Sequence, residues 1–434
     1  MDYSNENFET FQTTLREHVT EDSLIWQLRD ALFSEAFYGR SRWLDRMNHL
    51  PGGWLVSLYA QFLQARHTSK ANQPPAPEPG QCHFLFLSAR NNHTRRLYPM
   101  LRDQLADGNS RAWFTVKGVL NTIDSDDCPQ LYYIACEWSR HFLCEDVFTA
   151  TKLTRKLGEI FPQYLPKTSL ARIRIYFIQF LAWRRFWITA LGENPRMVVS
   201  TFEKSAYVKA FFHAARQLQV PRRIHWVHGL RHASIQATLA TELWCMTPGD
   251  VRYFQPRVPD FCTVSVKRNP ETDELVRDVG VLTPADFAGL EQIHFLFLGP
   301  GTEASYTREM RMADLAIIRK AQQELGDRIA WRFRPHPSAA DRFRLELVEA
   351  GITVEEFTTG PLNEDLKWAH AVGSSWSSLL LDIRETGRPI FWVQAEIRNL
   401  GAVDELIADG IGIHIDSDSV IRELKKLTSI TGKP

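Results

Sequence analysis

Two guanidiniums, an imidazole and a hydroxyl crowd into one octet, Trp331, Arg332, Phe333, Arg334, Pro335, His336, Pro337 and Ser338, at the end of a predicted strand. Alternation along the strand puts Trp331 and Phe333 on one face and the two arginines on the other. The prolines fix the exit and hold Arg334 and His336 extended, so the donors are stiff before any ligand arrives, which suits a phosphate. Taken alone, the octet reads equally as a surface arginine pair followed by a turn. A second cluster lies one βα unit downstream, where Gly373 leads into Ser374, Ser375, Ser377 and Ser378. The predicted helix that follows buries Leu379, Leu380 and Ile383 and stops before Gly387. Serine hydroxyls and free N–H groups at a helix N-terminus make a phosphate site, whereas plain N-capping needs one serine and not four. Asp382, one turn past Ser378, is placed to accept from ribose hydroxyls. A third element is the loop Gly299, Pro300, Gly301, Thr302 after the apolar run 293–298, where Gly299 and Thr302 are expected beside a nucleotide phosphate.

The N-terminal half offers fewer groups. Glu203 follows the buried run 196–200 and opens a helix whose apolar face is Tyr207, Ala210, Phe211, Ala214 and Leu218. A carboxylate between a strand's C-terminus and a helix's N-terminus sits at the ligand-binding edge of an open α/β sheet, as an acid or base. The plainer reading is a first-turn glutamate complementing the helix dipole. His228 and Gly229 end the strand 224–227. Three histidines within eight residues (His225, His228, His232) invite a metal, but no Cys or Asp completes a ligand set, so a single working imidazole at His228 is the better expectation.

The elements that must position these groups alternate strand and helix, which is α/β organisation. Residues 1–67 read as a helical extension and 68–80, rich in proline, as a linker. One α/β domain is expected over 81–250, a crossing over 251–288, and a second α/β domain over 289–434. The aromatic segment 170–191 carries Arg172, Arg174, Arg184 and Arg185, too many charges for a membrane span; it reads as a core helix with snorkelling arginines in preference to a membrane-surface patch. With 434 residues, 44% hydrophobic, the chain has enough apolar material for two cores. Lysine plus arginine equals aspartate plus glutamate at 51 each, so no global field draws the chain to nucleic acid. Six cysteines without zinc spacing read as free thiols of a reducing compartment. The first ten residues have no apolar core, so no secretory signal is expected, and the expected location is the cytosol with at most peripheral contact to the inner membrane.

In order along the chain, Glu203, His336-Pro337 and Ser377-Ser378 resemble the acidic, HP and paired-serine motifs of GT-B glycosyltransferases that use cytidine-nucleotide donors, among them bacterial polysialyltransferases and the Kdo transferases of capsule and lipopolysaccharide. The His228-Gly229 pair looks like the HG element of the CDP-glycerol transferases of teichoic acid synthesis. The resemblance spans roughly 82–430 and is carried by motifs of two to four residues. One departure stands out: the polysialyltransferase acidic motif is a carboxylate pair followed by glycine, while Glu203 is single, and the Asp126-Asp127 pair is followed by Cys128.

The resemblance implies a GT-B fold of two Rossmann-like domains facing a cleft. It also implies transfer of an ulosonic sugar (Kdo, sialic or pseudaminic acid class) from a CMP donor to a glycan or glycolipid acceptor in surface polysaccharide synthesis. His336, Ser377 and Ser378, with Ser375 near them and Arg334 as neighbouring charge or scaffold, would stabilise the departing CMP phosphate. Glu203 would act as base or nucleophile and His228 would hold the donor carboxylate or assist. No metal or other cofactor is expected. Rival expectations are a CDP-glycerol or CDP-ribitol polyol-phosphate transferase with His228 as base, a nucleotide-sugar 2-epimerase, and a non-catalytic capsule-assembly protein.

Overall fold

A computed structural model describes residues 5–37, 53–68, 84–88, 111–115, 131–133, 137–192, 195–201, 205–227, 239–301, 306–337, 339–354, 356–396 and 403–430. Its two compact units divide between Lys267 and Arg268.

The first unit is built on a parallel seven-stranded sheet: β1 (Phe84–Ser88), β2 (Arg111–Thr115), β3 (Leu131–Tyr133), β4 (Met197–Ser200), β5 (Arg222–Trp226), β6 (Glu242–Cys245) and β7 (Thr263–Val266), in spatial order 3-2-1-4-5-6-7. Around it lie α1 (Asn5–His18), α2 (Arg29–Phe37), α3 (Gly53–Thr68), α4 (Cys144–Ile160), α5 (Lys167–Leu191), α6 (Ala206–Gln217) and α7 (Pro248–Phe254). The expectation of an appended helical segment needs correction. Phe8, Phe11 and Phe33 are fully or almost fully buried in the same core as α4 and α5, and Phe11 stacks on Phe161 at 4.6 Å. An ion pair with no solvent exposure, Lys209 to Asp30 at 2.9 Å, ties α6 to α2. The expected crossing over 251–288 is likewise divided between the units: β7 is a parallel neighbour of β6, and α8 (Pro270–Val279) belongs to the second unit.

Helix α5 is a core element, and its four arginines are spent inside the protein. Arg172 donates to the Glu35 and Ala36 carbonyls, Arg174 lies 4.8 Å from the Trp54 ring centroid, Arg184 donates to Gln217, and Arg185 pairs with Asp146. The apolar stems cover neighbours while the charges find acceptors, as snorkelling requires. Among the described residues no helix is long and apolar enough to cross a membrane.

The second unit has six parallel strands: β8 (Ile293–Leu298), β9 (Ile329–Arg334), β10 (Glu356–Phe357), β11 (Ala371–Ser374), β12 (Ile390–Val393) and β13 (Ile413–Ile415). Their order, 10-9-8-11-12-13, is that of a nucleotide-binding doubly wound sheet. The helices are α8, α9 (Arg308–Leu325), α10 (Ala340–Glu349), α11 (Leu362–Trp368), α12 (Leu379–Ile383), α13 (Val403–Ala408) and α14 (Val420–Ile430). Strand β8 is apolar and buried apart from the half-buried His294 because both faces are covered, and its register places Leu298 opposite Arg334 and Ser374. The progression of strand order reverses between β8 and β11, and in such sheets ligands bind outside the carboxyl ends at that switch point.

Candidate functional site

Three loops leave the carboxyl edge around this switch point: 299–301 after β8, 335–337 after β9 and 375–378 after β11. The structure thus brings Gly299, His336, Ser375, Ser377 and Ser378 to one edge of one sheet. In β9, Trp331 and Phe333 are buried and Arg332 and Arg334 half-buried, after which His336 emerges exposed.

Gly299 and Gly301 have different jobs. A Cβ on Gly299 would sit 2.8 Å from the Phe343 ring, so glycine there lets the end of β8 close against α10, and its N–H donates to the Arg334 carbonyl at 2.7 Å. A Cβ on Gly301 would lie 3.6 Å from Cγ and Cδ2 of His336, so the bare backbone of that loop faces the imidazole. Gly301, which the sequence did not single out, is therefore the glycine beside His336.

The serines divide in the same way. Ser374 is fully buried; its Oγ donates to the Leu298 carbonyl at 2.8 Å and accepts from the Trp376 N–H, locking β11 to β8 at the switch point. Ser375 is buried, and its carbonyl accepts from Gln394 Nε2 at 2.7 Å. Ser377 and Ser378 are half-exposed, and Ser377 Oγ accepts from the Leu379 N–H at 3.3 Å. The helix they open has only five residues before it tightens to a 3-10 turn over Arg384–Thr386, so the site rests on the loops more than on a helix dipole. Trp376, between the serine pairs, stacks on Tyr306 with centroids 6.4 Å apart. The Tyr306 hydroxyl donates to Asp314, whose Oδ1 accepts the Ala395 N–H at 2.8 Å. Tyr306, Asp314 and Gln394 thus brace the serine loop from long range, and only folding reveals them.

Two expected ligands are turned elsewhere. Asp382 is 4% exposed, and its Oδ1 accepts from Thr272 Oγ1 at 2.9 Å and Asn269 Nδ2 at 3.4 Å, so it anchors α8 rather than standing open to a ribose. Arg334 donates to Asp365 Oδ2 at 2.5 Å and to the Gly360 carbonyl at 2.7 Å, the scaffold alternative for that residue. Glu203, His228 and Thr302 lie outside the described residues. Among the described residues no three His, Cys, Asp or Glu side chains converge as a metal site.

Two parallel α/β units in tandem are the organisation expected of the GT-B class. No protein-family model matches the chain, and no curated protein matches it in sequence. It is similar to the solved UDP-GlcNAc 2-epimerase of Methanocaldococcus jannaschii in complex with UDP-GlcNAc and UDP, at 12% identity and TM-score 0.46, covering 79% of this chain and 92% of that one. MurG of Acinetobacter baumannii is similar at 12% identity and TM-score 0.45, covering 80% and 91%. The wall teichoic acid polymerase TagF is similar at 11% identity and TM-score 0.43, covering 90% of each chain.

Proposed function

We propose that the protein is a glycosyltransferase that binds a nucleotide-sugar donor on its second unit, and that the donor is a CMP-activated ulosonic sugar passed to a glycan or glycolipid acceptor. The observation that carries this reading is that an exposed imidazole lying against a glycine backbone and the two half-exposed serines Ser377 and Ser378 leave the same carboxyl edge of the second sheet, on either side of β8. Breaking the bond from sugar to phosphate leaves negative charge on CMP, and donors held in advance at that edge favour the charge as it develops. His336, Ser377 and Ser378 are the groups assigned to it. Glu203, following β4 in the first unit, is assigned to the acceptor hydroxyl as base or to the sugar as nucleophile, with His228 assisting. The cytidine class rests on the order of the HP and paired-serine motifs.

The test is a thermal-shift screen of CMP, CDP, UDP and GDP, since a ligand of the native state raises Tm by mass action. Stabilisation by CMP above the other three is the expected result. Stabilisation by UDP alone would refute the cytidine assignment, and release, without any acceptor, of a free sugar inverted at C2 would replace transfer by epimerisation.

A further inference from the structure

The loop carrying Gly301 is held from behind by a residue that none of the motifs contains. Arg342, in the first turn of α10, donates from one Nη to the Gly301 carbonyl at 2.7 Å and to the Pro300 carbonyl at 3.4 Å. Its nearest carboxylate is taken by another arginine: Glu346 accepts from Arg311 at Oε1 (2.7 and 2.9 Å) and at Oε2 (3.1 Å), a buried pair, and approaches Arg342 Nε only to 3.7 Å. Burial lowers the Arg342 pKa, with the Arg311 charge acting in the same direction. A guanidinium half-buried at that cost, and spent on two loop carbonyls, invites an explanation beyond charge pairing.

The geometry supplies one. A peptide is planar and trans, so a carbonyl turned toward Arg342 sends the N–H of the same peptide the opposite way. The Pro300 carbonyl faces Arg342, and the Gly301 N–H is therefore directed away from α10. Gly301 is also the residue whose vacant Cβ position faces His336 at 3.6 Å. The other end of the loop is pinned by the Gly299 N–H on the Arg334 carbonyl. We propose that Arg342 is a positioning residue of the phosphate site, holding the 299–301 loop so that the Gly301 N–H and His336 together meet a nucleotide phosphate. The inference rests on the nucleotide reading of this edge, but not on the choice of base.

Calorimetric titration of the full chain with cytidine, CMP, uridine and UMP, alongside thermal melts, tests it. The variants are Arg342→Gln, Arg342→Lys and Gly301→Ala. Arg342→Gln is expected to weaken monophosphate binding about tenfold, the worth of one charge-assisted contact, while nucleoside affinity stays unchanged. Lysine restores the charge and one donor and recovers part of the loss. Gly301→Ala makes only an ordinary contact with His336, so it folds, yet it puts a methyl against the imidazole and lowers the same monophosphate affinity. If Arg342→Gln fails to fold, the other two variants carry the test. Monophosphate binding that is unchanged in the variants, or that falls by the same factor as nucleoside binding, overturns the inference and leaves Arg342 a structural staple. A wild-type protein that binds none of the four compounds overturns the nucleotide reading, and this inference with it.

Discussion

Asp365→Asn separates the two roles open to Arg334. Asp365 is 3% exposed; Oδ2 takes Arg334 Nη1 at 2.5 Å and Oδ1 takes Arg332 Nη1 at 3.3 Å. Arg332 has other support, Glu356 at 2.7 Å and the Trp368 ring at 4.1 Å, whereas Arg334 would keep the Gly360 carbonyl. Removing one partner of a buried pair costs about 3–5 kcal/mol. The amide oxygen that asparagine retains, together with the second partner of Arg332, reduces the expected loss to about 2–3 kcal/mol. In a unit of about 150–250 residues that lowers Tm by about 4–12 °C. Urea unfolding of the wild type, Asp365→Asn, Arg334→Met and the double variant gives the coupling energy, expected above about 1 kcal/mol because the two side chains touch. Titration with CMP then asks whether Arg334→Met retains nucleotide affinity within about threefold. Asp365→Asn within about 0.5 kcal/mol of wild type refutes the scaffold argument. So does an Arg334→Met protein that melts normally but loses phosphate-dependent affinity.

His336→Ala should lower turnover about a hundredfold or more in a CMP-release assay, and near-normal turnover would remove His336 from the mechanism. Glu203→Gln should abolish transfer while CMP still raises Tm; an active variant would move the search for the base to Asp126, Asp127 or His228. Gly373→Ala would place a Cβ 2.6 Å from Phe295 Cζ inside β11, an overpacking expected to cost about 1–3 kcal/mol in urea unfolding, so a neutral result would contradict the packing described. His213, edge-on to Phe180, is lowered from 6.5 to about 4 by burial, then by the Arg184 and Arg216 charges. The unfolded chain takes up a proton in that window which the folded chain refuses, so this stability is complete above the unfolded value and is lost as pH falls toward the folded one. His213→Phe should remove up to about 3 kcal/mol of that pH dependence, and equal loss of stability on acidification in both proteins would refute it.

What could be read before folding was local and periodic. The alternation of Trp331, Arg332, Phe333 and Arg334 placed β9 and its two faces, and the largely apolar run 293–298 placed β8, because an alternating strand and a doubly covered one each show their pattern within a few residues. Strand β7 escaped notice because Thr263 to Val266 alternates weakly and lies half-exposed at a sheet edge. Asp382 was misjudged for a different reason. A helical wheel says which residues share a face, not what that face meets, and Thr272 lies 110 residues earlier. Arg342 and Tyr306 act through contacts to Gly301 and Trp376 that sequence spacing does not encode. The division of labour between Gly299 and Gly301 likewise depends on where Phe343 and His336 come to rest.

The sealed contact between Lys209 and Asp30 also sets a timetable for synthesis. Helices α1 and α2 leave the ribosome before α6, carrying Phe8, Phe11, Phe33 and an aspartate whose partner is about 180 residues away. At ordinary rates of translation α6 follows roughly 10–40 seconds later, and until then Asp30 waits for its cation while the aromatic faces close on one another and, as these emerge, on α4 and α5. The incomplete core is expected to stay open to aggregation and proteolysis for part of that interval, and slowing elongation before residue 209 would lengthen the exposure.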